Sequence, residues 1–296
     1  MGRDTAAEAS TPRPGTTASN PRPQNQSMQS LPSALAIAVY AAATAVLSMH
    51  ARAAVHALPG PSTVTVRWTW LAAVLLHGLG LSLTLVSAQG LDLGFFNALS
   101  TVGWLMAVLL LITTLRRPLE NLGLVILPLA ALGIALQLAF ADGRPRPEEL
   151  GAGLELHIFV SLLAYSLLSL AALQAVVLAV QNRHLHNHHP GGLVRALPPL
   201  QHMEVLLFQM IALGFALLSA ALASGFVYLD DIFAQHVVHK TVLSITAWVL
   251  FGVLLFGRWR FGWRGRVAIR WTLGGFVALM LAFFGTKLVL ELLLQR

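Results

Sequence analysis

The feature that most constrains this fold is a succession of eight stretches that contain no aspartate, glutamate, lysine or arginine. A bilayer core about 30 Å thick is crossed by roughly 20 apolar residues in a helix. Backbone polar groups in lipid must be satisfied internally, so each stretch is predicted to be a transmembrane α-helix. The predicted spans are Leu31–Ala51, Trp68–Leu91, Leu93–Leu115, Asn121–Ala141, Leu156–Asn182, Val205–Leu229, Thr241–Gly257 and Trp271–Thr286, the last of which can continue to Leu294.

The composition excludes a water-soluble globular enzyme. Hydrophobic residues make up 56% of the chain and charged residues only 10%, and the mean hydropathy is +0.72. A soluble domain has about 25% charged residues, because its surface must stay hydrated. The absence of cysteine excludes disulfides, thiolate metal sites, iron–sulfur clusters and covalent attachment of c-type haem. The expected fold class is therefore all-α: a polytopic membrane bundle of eight helices.

The loop charges predict an orientation. Eleven arginines lie in the loops that join spans 1–2, 3–4, 5–6 and 7–8, against three basic residues in the other loops, Arg144, Arg146 and Lys240. Basic loops remain in the cytoplasm, so both termini are predicted to face outside. The net charge of +7 is explained by this topology, and no nucleic-acid partner is expected.

The chain divides into two regions. Residues 1–30 are rich in Pro, Ser, Thr and Asn and are predicted to be a disordered tail. Residues 31–296 form one integral membrane domain, whose first span is expected to be retained rather than cleaved as a signal peptide. Met28 is an alternative start, and the sequence does not decide between the two.

Few ionisable residues lie at membrane depth, where they are costly and usually functional. His77 lies near the middle of the second span, and His157 begins the fifth span at its outer end. His236, His239 and Lys240 lie in the outer loop that leads into the seventh span. Each histidine also has a simpler interpretation: a hydrogen bond to a neighbouring helix for His77, an interfacial position for His157, and a loop position for the other two.

The fifth span carries a polar stripe. His157, Ser161 and Tyr165 are four residues apart, so they share one helix face, which is expected to contact protein or a cavity rather than lipid. His239 is predicted to reach the same depth. Two imidazoles at one level can bind the two faces of a haem iron. Basic residues on the same side could contact the haem propionates: Lys240, Arg144 and Arg146.

Five segments resemble the cytochrome c assembly family of the CcsA/CcmC type, with the greatest similarity to its YpjD-like or HemX-like branch. The resemblance covers about residues 70–290. Leu76–Gly78 resembles the segment with the family's early membrane histidine, and Gly94–Ser100 resembles the asparagine-containing segment after it. Leu156–Tyr165 looks like the family's helix with histidine, serine and tyrosine. The other two segments are His239–Trp248 and the Gly-Trp turn Gly262–Gly265.

The resemblance implies a bacterial inner-membrane protein that handles haem in cytochrome c-type biogenesis. It implies His157 as a haem ligand and supports His77 as a deeper ligand or relay. His239 stands where the family has proline, so the preferred axial pair of His157 and His239, with His236 as a substitute for His239, is an expectation from the residues themselves. Ser161 and Tyr165 would orient His157. The outer loop before Lys240 lacks the family's tryptophans, and Phe256 stands where the family has a histidine. The last external histidine of the family has no counterpart either, so a relay of four histidines and two haems is not expected.

No catalytic motif is present, so the chain is not expected to be an enzyme. Its expected partners are haem, membrane lipid and other cytochrome c assembly proteins. The first alternative is a HemX-like regulator of haem biosynthesis that transfers no haem. A second alternative is a small-molecule transporter, which predicts inverted repeats and broken helices at mid-membrane. A structural subunit of a respiratory complex is a third.

Overall fold

A computed structural model describes residues 23–87, 90–91, 94–117, 119–140, 151–186, 199–228 and 238–285. Within these ranges it confirms the all-α fold, with eight helices long and apolar enough to cross a membrane. They are α1 (Pro23–His56), α2 (Thr63–Leu85), α3 (Phe95–Thr114), α4 (Gly123–Phe140), α5 (Ala152–His186), α6 (Leu200–Tyr228), α7 (Val238–Phe261) and α8 (Gly265–Met280). A 3₁₀ turn, Glu120–Leu122, precedes α4, and a π-helical turn, Leu281–Gly285, continues α8.

Several boundaries differ from the sequence-based spans. α1 begins at Pro23, inside the tail predicted to be disordered up to residue 30, because proline suits the first position of a helix. Residues 1–22 lie outside the described part of the chain. α2 ends at Leu85 rather than Leu91, and two strands, β1 (Val86–Ser87) and β2 (Gly90–Leu91), pair antiparallel there. Absence of charge marks the apolar segment, but it does not mark where the backbone leaves the helix.

The helices form two neighbouring groups. In the first, α1 packs on α2 and α4, and α3 packs on α2 and α4. In the second, α5 packs on α6 and α8, and α7 packs on α6 and α8. Contacts between α3 and α5 join the groups, and α5 is the span with the largest buried share. Small residues let α3 and α4 approach closely: a Cβ at Gly103 would lie 3.2 Å from the Cα of Ala130.

An ion pair at the arginine-rich end of the first group ties three elements together. An Nη2 hydrogen of Arg67 is donated to the Thr114 carbonyl at 2.7 Å, and Nη2 lies 3.0 Å from Oε1 of Glu120. The carbonyl belongs to the last turn of α3, where no intrahelical donor is available. Arg67 therefore donates a hydrogen bond to a carbonyl at the end of α3 that has no partner within the helix. It also holds α2 against the 3₁₀ turn before α4.

In the second helix group, a buried glutamate likewise joins two helices through a helix end. Glu204 of α6 is 7% exposed, and its Oε1 accepts the backbone N–H of Gly265 at 2.7 Å. That N–H belongs to the first residue of α8, a helix without a side-chain cap of its own. A carboxylate at a helix N-terminus satisfies an unpaired donor and complements the helix dipole.

We expect Glu204→Ala to lower the free energy of unfolding by about 1.5–3 kcal/mol, the range for a hydrogen bond to a charged group. Glu204→Gln keeps an acceptor and should lose less. Denaturant unfolding in mixed micelles, followed by tryptophan fluorescence, measures the difference. Glu155→Ala removes an exposed carboxylate from α5 and is the matched control. Equal stability of Glu204→Ala and Glu155→Ala would contradict the capping role.

Candidate functional site

The second helix group encloses a cavity at the end predicted to face outside. This outer cavity has a volume of about 320 Å³, at the lower end of the range for small-molecule sites. α5, α6, α7 and the end of α8 form its walls. Its polar lining comes from His157, Ser161 and Tyr165 of α5 and from Lys240, Thr241 and Ser244 of α7. Apolar side chains, including Leu218, Leu222, Phe226 and Phe283, complete it.

His157 is held by α6 rather than by its own helix. Its Nδ1 lies 2.9 Å from Oγ of Ser224, and the Ser224 hydroxyl is 2.9 Å from the Ala221 carbonyl, to which it donates. Nδ1 is thus the ring nitrogen bonded to Ser224, and the Ala221 carbonyl is a second hydrogen-bond partner of the ring. Nε2 is the nitrogen on the side away from Ser224. The imidazole lies against Gly225, the next residue of α6.

Ser224 is the site residue that the sequence reasoning missed. We expected Ser161 and Tyr165 to orient His157; both line the outer cavity, but the hydrogen bond to the imidazole comes from Ser224. The stripe was defined by spacing within one helix, whereas the actual partner belongs to another. The available signal was weak: Ser224 is a polar residue in an apolar span, and such residues usually contact a neighbouring helix.

Tyr165 lines the outer cavity and is also part of an aromatic cluster. It is 5% exposed and packs against Phe276, Phe283 and Phe284, with ring centroids 6.0, 5.3 and 5.4 Å away. It also lines a second cavity of about 390 Å³, the lateral cavity, between α3, α4, α5 and α8. Phe283 lines the outer cavity and Phe284 the lateral one. Tyr165 is therefore part of an aromatic wall between the two cavities.

The structure does not bring His239 to His157. Lys240, Thr241 and Ser244 face the outer cavity, and His239 is exposed and absent from its lining. Successive residues of an α-helix are about 100° apart, so His239 and Lys240 leave α7 in different directions. The predicted axial pair of His157 and His239 is therefore not found in this lining, to which α7 contributes Lys240 instead.

His77 lies in the first helix group and is only 1% exposed. Its Nδ1 is 3.2 Å from the Tyr40 hydroxyl, and its Nε2 is 3.0 Å from the Ser100 hydroxyl. Both ring nitrogens are therefore engaged by neighbouring helices, α1 and α3. A ligand role for His77 would require one of these hydrogen bonds to break.

Three further residues predicted for this site lie outside the described part of the chain: His236, Arg144 and Arg146. Among the described residues, no group of three or more metal-ligating side chains comes together. In that part of the chain, His157 is the one histidine in the lining of the outer cavity.

The lining fits one face of a haem group. Apolar and aromatic side chains suit the porphyrin, the His157 imidazole suits the iron, and Lys240 suits a carboxylate at the rim. A second imidazole is not found among the described residues that line the cavity. Among the described lining residues, the donor set supports one protein ligand to iron, His157.

Comparison with known proteins gives consistent results. A family model described as cytochrome C assembly protein matches residues 68–294. The chain is 32% identical over 209 residues to the inner membrane protein YpjD of Escherichia coli K12, covering 69% of this chain and 78% of the relative. It is 34% identical over 208 residues to an uncharacterized 28.8 kDa protein of Azospirillum brasilense, covering 67% and 77%.

A more distant relative carries a functional name. The cytochrome c biogenesis protein CcsA of Chlamydomonas reinhardtii is 22% identical over 140 residues, covering 47% of this chain and 38% of the relative. No solved structure matches the chain.

Proposed function

Since this chain belongs to the cytochrome c assembly protein family, we propose that it binds haem in the outer cavity and serves cytochrome c-type biogenesis. The observation that carries the proposal is the His157 imidazole, which lines a largely apolar cavity with Nδ1 bonded to protein and Nε2 left for a ligand. The name of the Escherichia coli relative supports a multi-pass protein of the bacterial inner membrane. Other cytochrome c assembly proteins are the proposed partners.

In this proposal the chain binds and orients its ligand and makes no covalent bond itself, so it is not an enzyme. His157 would hold the iron through Nε2. Lys240 provides a positive charge for a propionate, and the apolar side chains exclude water from the porphyrin faces. Bound haem would supply the iron centre, whose properties depend on its axial ligands and on the polarity of the site.

The direct test is an absorption spectrum of the detergent-purified protein, followed by titration with haemin. We expect a Soret band in the protein as isolated, or saturable uptake of about one haemin per chain. Myoglobin depleted of haem serves as the positive control for the titration. A colourless preparation that binds no added haemin would overturn the proposal.

A deletion strain separates the proposed function from its principal alternative, a regulator of haem biosynthesis. Loss of an assembly factor should reduce the c-type cytochromes detected by haem staining after denaturing electrophoresis, while haem precursors stay at normal levels. A regulator gives the opposite pattern, with altered precursor pools and normal c-type cytochromes. The second pattern would count against the proposal even if purified protein bound haem.

A further inference from the structure

We propose that Ser224 and Gly225 of α6 form a seat that sets the tautomer and the ring position of His157. The seat acts before any ligand is present: it keeps the imidazole hydrogen on Nδ1 and the lone pair on Nε2. Ser224 is thus a positioning residue, and the inference rests on the proposed function only for the identity of the ligand, haem iron.

The hydrogen of the Ser224 hydroxyl determines which tautomer of His157 is favoured. The Ser224 hydroxyl lies 2.9 Å from the Ala221 carbonyl, which can only accept, so the hydroxyl hydrogen is donated there. The same oxygen lies 2.9 Å from Nδ1 of His157. With its hydrogen already used, the oxygen accepts from Nδ1–H. The Ala221 carbonyl, which is also a hydrogen-bond partner of the His157 ring, can likewise only accept. A neutral imidazole with hydrogen on Nδ1 has its lone pair on Nε2, the form that binds a metal.

The absence of a side chain at Gly225 leaves room for the His157 imidazole. A Cβ at position 225 would lie 3.1 Å from Cε1 of His157, which is closer than ordinary carbon contacts and would require the ring to shift by a few tenths of an ångström. Glycine lets the imidazole approach the α6 backbone closely enough to reach Ser224. A side chain at this position would push the ring away from the hydroxyl, so the two residues act together.

His157 and Ser224 belong to α5 and α6, which share the most extensive packing among the described helices. The two hydrogen-bonding side chains are therefore on elements that are held firmly together. A ring with a fixed tautomer and a fixed position loses less freedom when it binds a ligand, which is the benefit of preorganisation. Hydrogen-bonding partners of metal-binding histidines typically change affinity 10–100-fold when removed.

The first measurement uses the haem-free protein. Histidine labelled with ¹⁵N and ¹³C reports its tautomer by NMR in detergent micelles, and His157→Ala assigns the resonance. We expect the Nδ1–H form in the wild type and a shift towards Nε2–H in Ser224→Ala. Ser224→Thr keeps a hydroxyl and should retain the wild-type signal. Ser219→Ala is the matched control, because Ser219 is also bonded to its own helix, at Phe215, but contacts Trp248 rather than a histidine.

The second measurement is haemin titration of the same variants. Ser224→Ala and Gly225→Ala should bind haemin about 10–100-fold more weakly, whereas Ser224→Thr and Ser219→Ala should bind like the wild type. If the wild type binds no haemin, the proposed function fails, and the tautomer still tests the seat. If Ser224→Ala keeps the Nδ1–H signal, or binds haemin with unchanged affinity, the seat is disproved.

Discussion

Replacing His157 with alanine should remove the haem absorption of the purified protein, whereas replacing His239 with alanine should leave it unchanged. The expected difference follows from position alone: His157 lines the outer cavity, and His239 lies on the exposed side of α7. Loss of the sole imidazole in the described lining should weaken haemin binding by at least the 10–100-fold typical of a lost supporting partner. Absorption spectra and haemin titrations of both variants provide the measurement.

Two variants extend this experiment. His236→Ala tests whether a second imidazole, from a residue outside the described part of the chain, contributes to the iron. If it does, the low-spin spectrum expected of two histidine ligands becomes high-spin on that substitution alone. Lys240→Gln keeps the length of the side chain nearly constant and tests the charge, with weaker haemin binding expected at low salt. A coloured His157→Ala protein, or a colourless His239→Ala protein, would refute the assignment of His157.

Replacing His77 with leucine should destabilise the protein without removing its haem. The substitution breaks the hydrogen bonds to Tyr40 and Ser100 and leaves both hydroxyls unpaired between three helices. Hydrogen bonds between transmembrane helices contribute about 0.6–1.7 kcal/mol each, so we expect a loss of about 1–3 kcal/mol in the free energy of unfolding. Denaturant unfolding in mixed micelles measures this loss, and the absorption spectrum is recorded on the same sample.

Two further variants distinguish a structural role of His77 from a ligand role. His77→Gln retains a donor and an acceptor and should recover part of the lost stability. Tyr40→Phe removes only one of the two hydrogen bonds and should cost less than His77→Leu. If His77→Leu loses haem while its stability is unchanged, His77 is a ligand, and the structural role described above is wrong.

The helices themselves could be predicted because a bilayer imposes a simple physical test. A charged residue is costly in hydrocarbon, and every backbone hydrogen bond there must be made within the segment. Uncharged stretches therefore identified all eight spans. The test says nothing about helix ends in water, which is why α2 was expected to reach Leu91 and α8 to begin at Trp271 rather than Gly265.

The site was predicted less completely. Spacing along a helix and loop topology put His157, Tyr165 and Lys240 on one side of the bundle, and all three line the outer cavity. Spacing within a helix cannot show which neighbour completes the site. The partner of His157 is Ser224, 67 positions along the chain, and the partners of His77 come from α1 and α3.

By itself, the sequence determined eight segments long and apolar enough to cross a membrane, and it identified His157 as the first candidate ligand. Only the tertiary structure decided that α7 turns Lys240 rather than His239 towards the cavity, and that His77 is enclosed by hydrogen bonds. The physical reason is that hydropathy acts on each segment separately. The rotation of a helix about its axis, and the partner of each polar side chain, result from packing between segments.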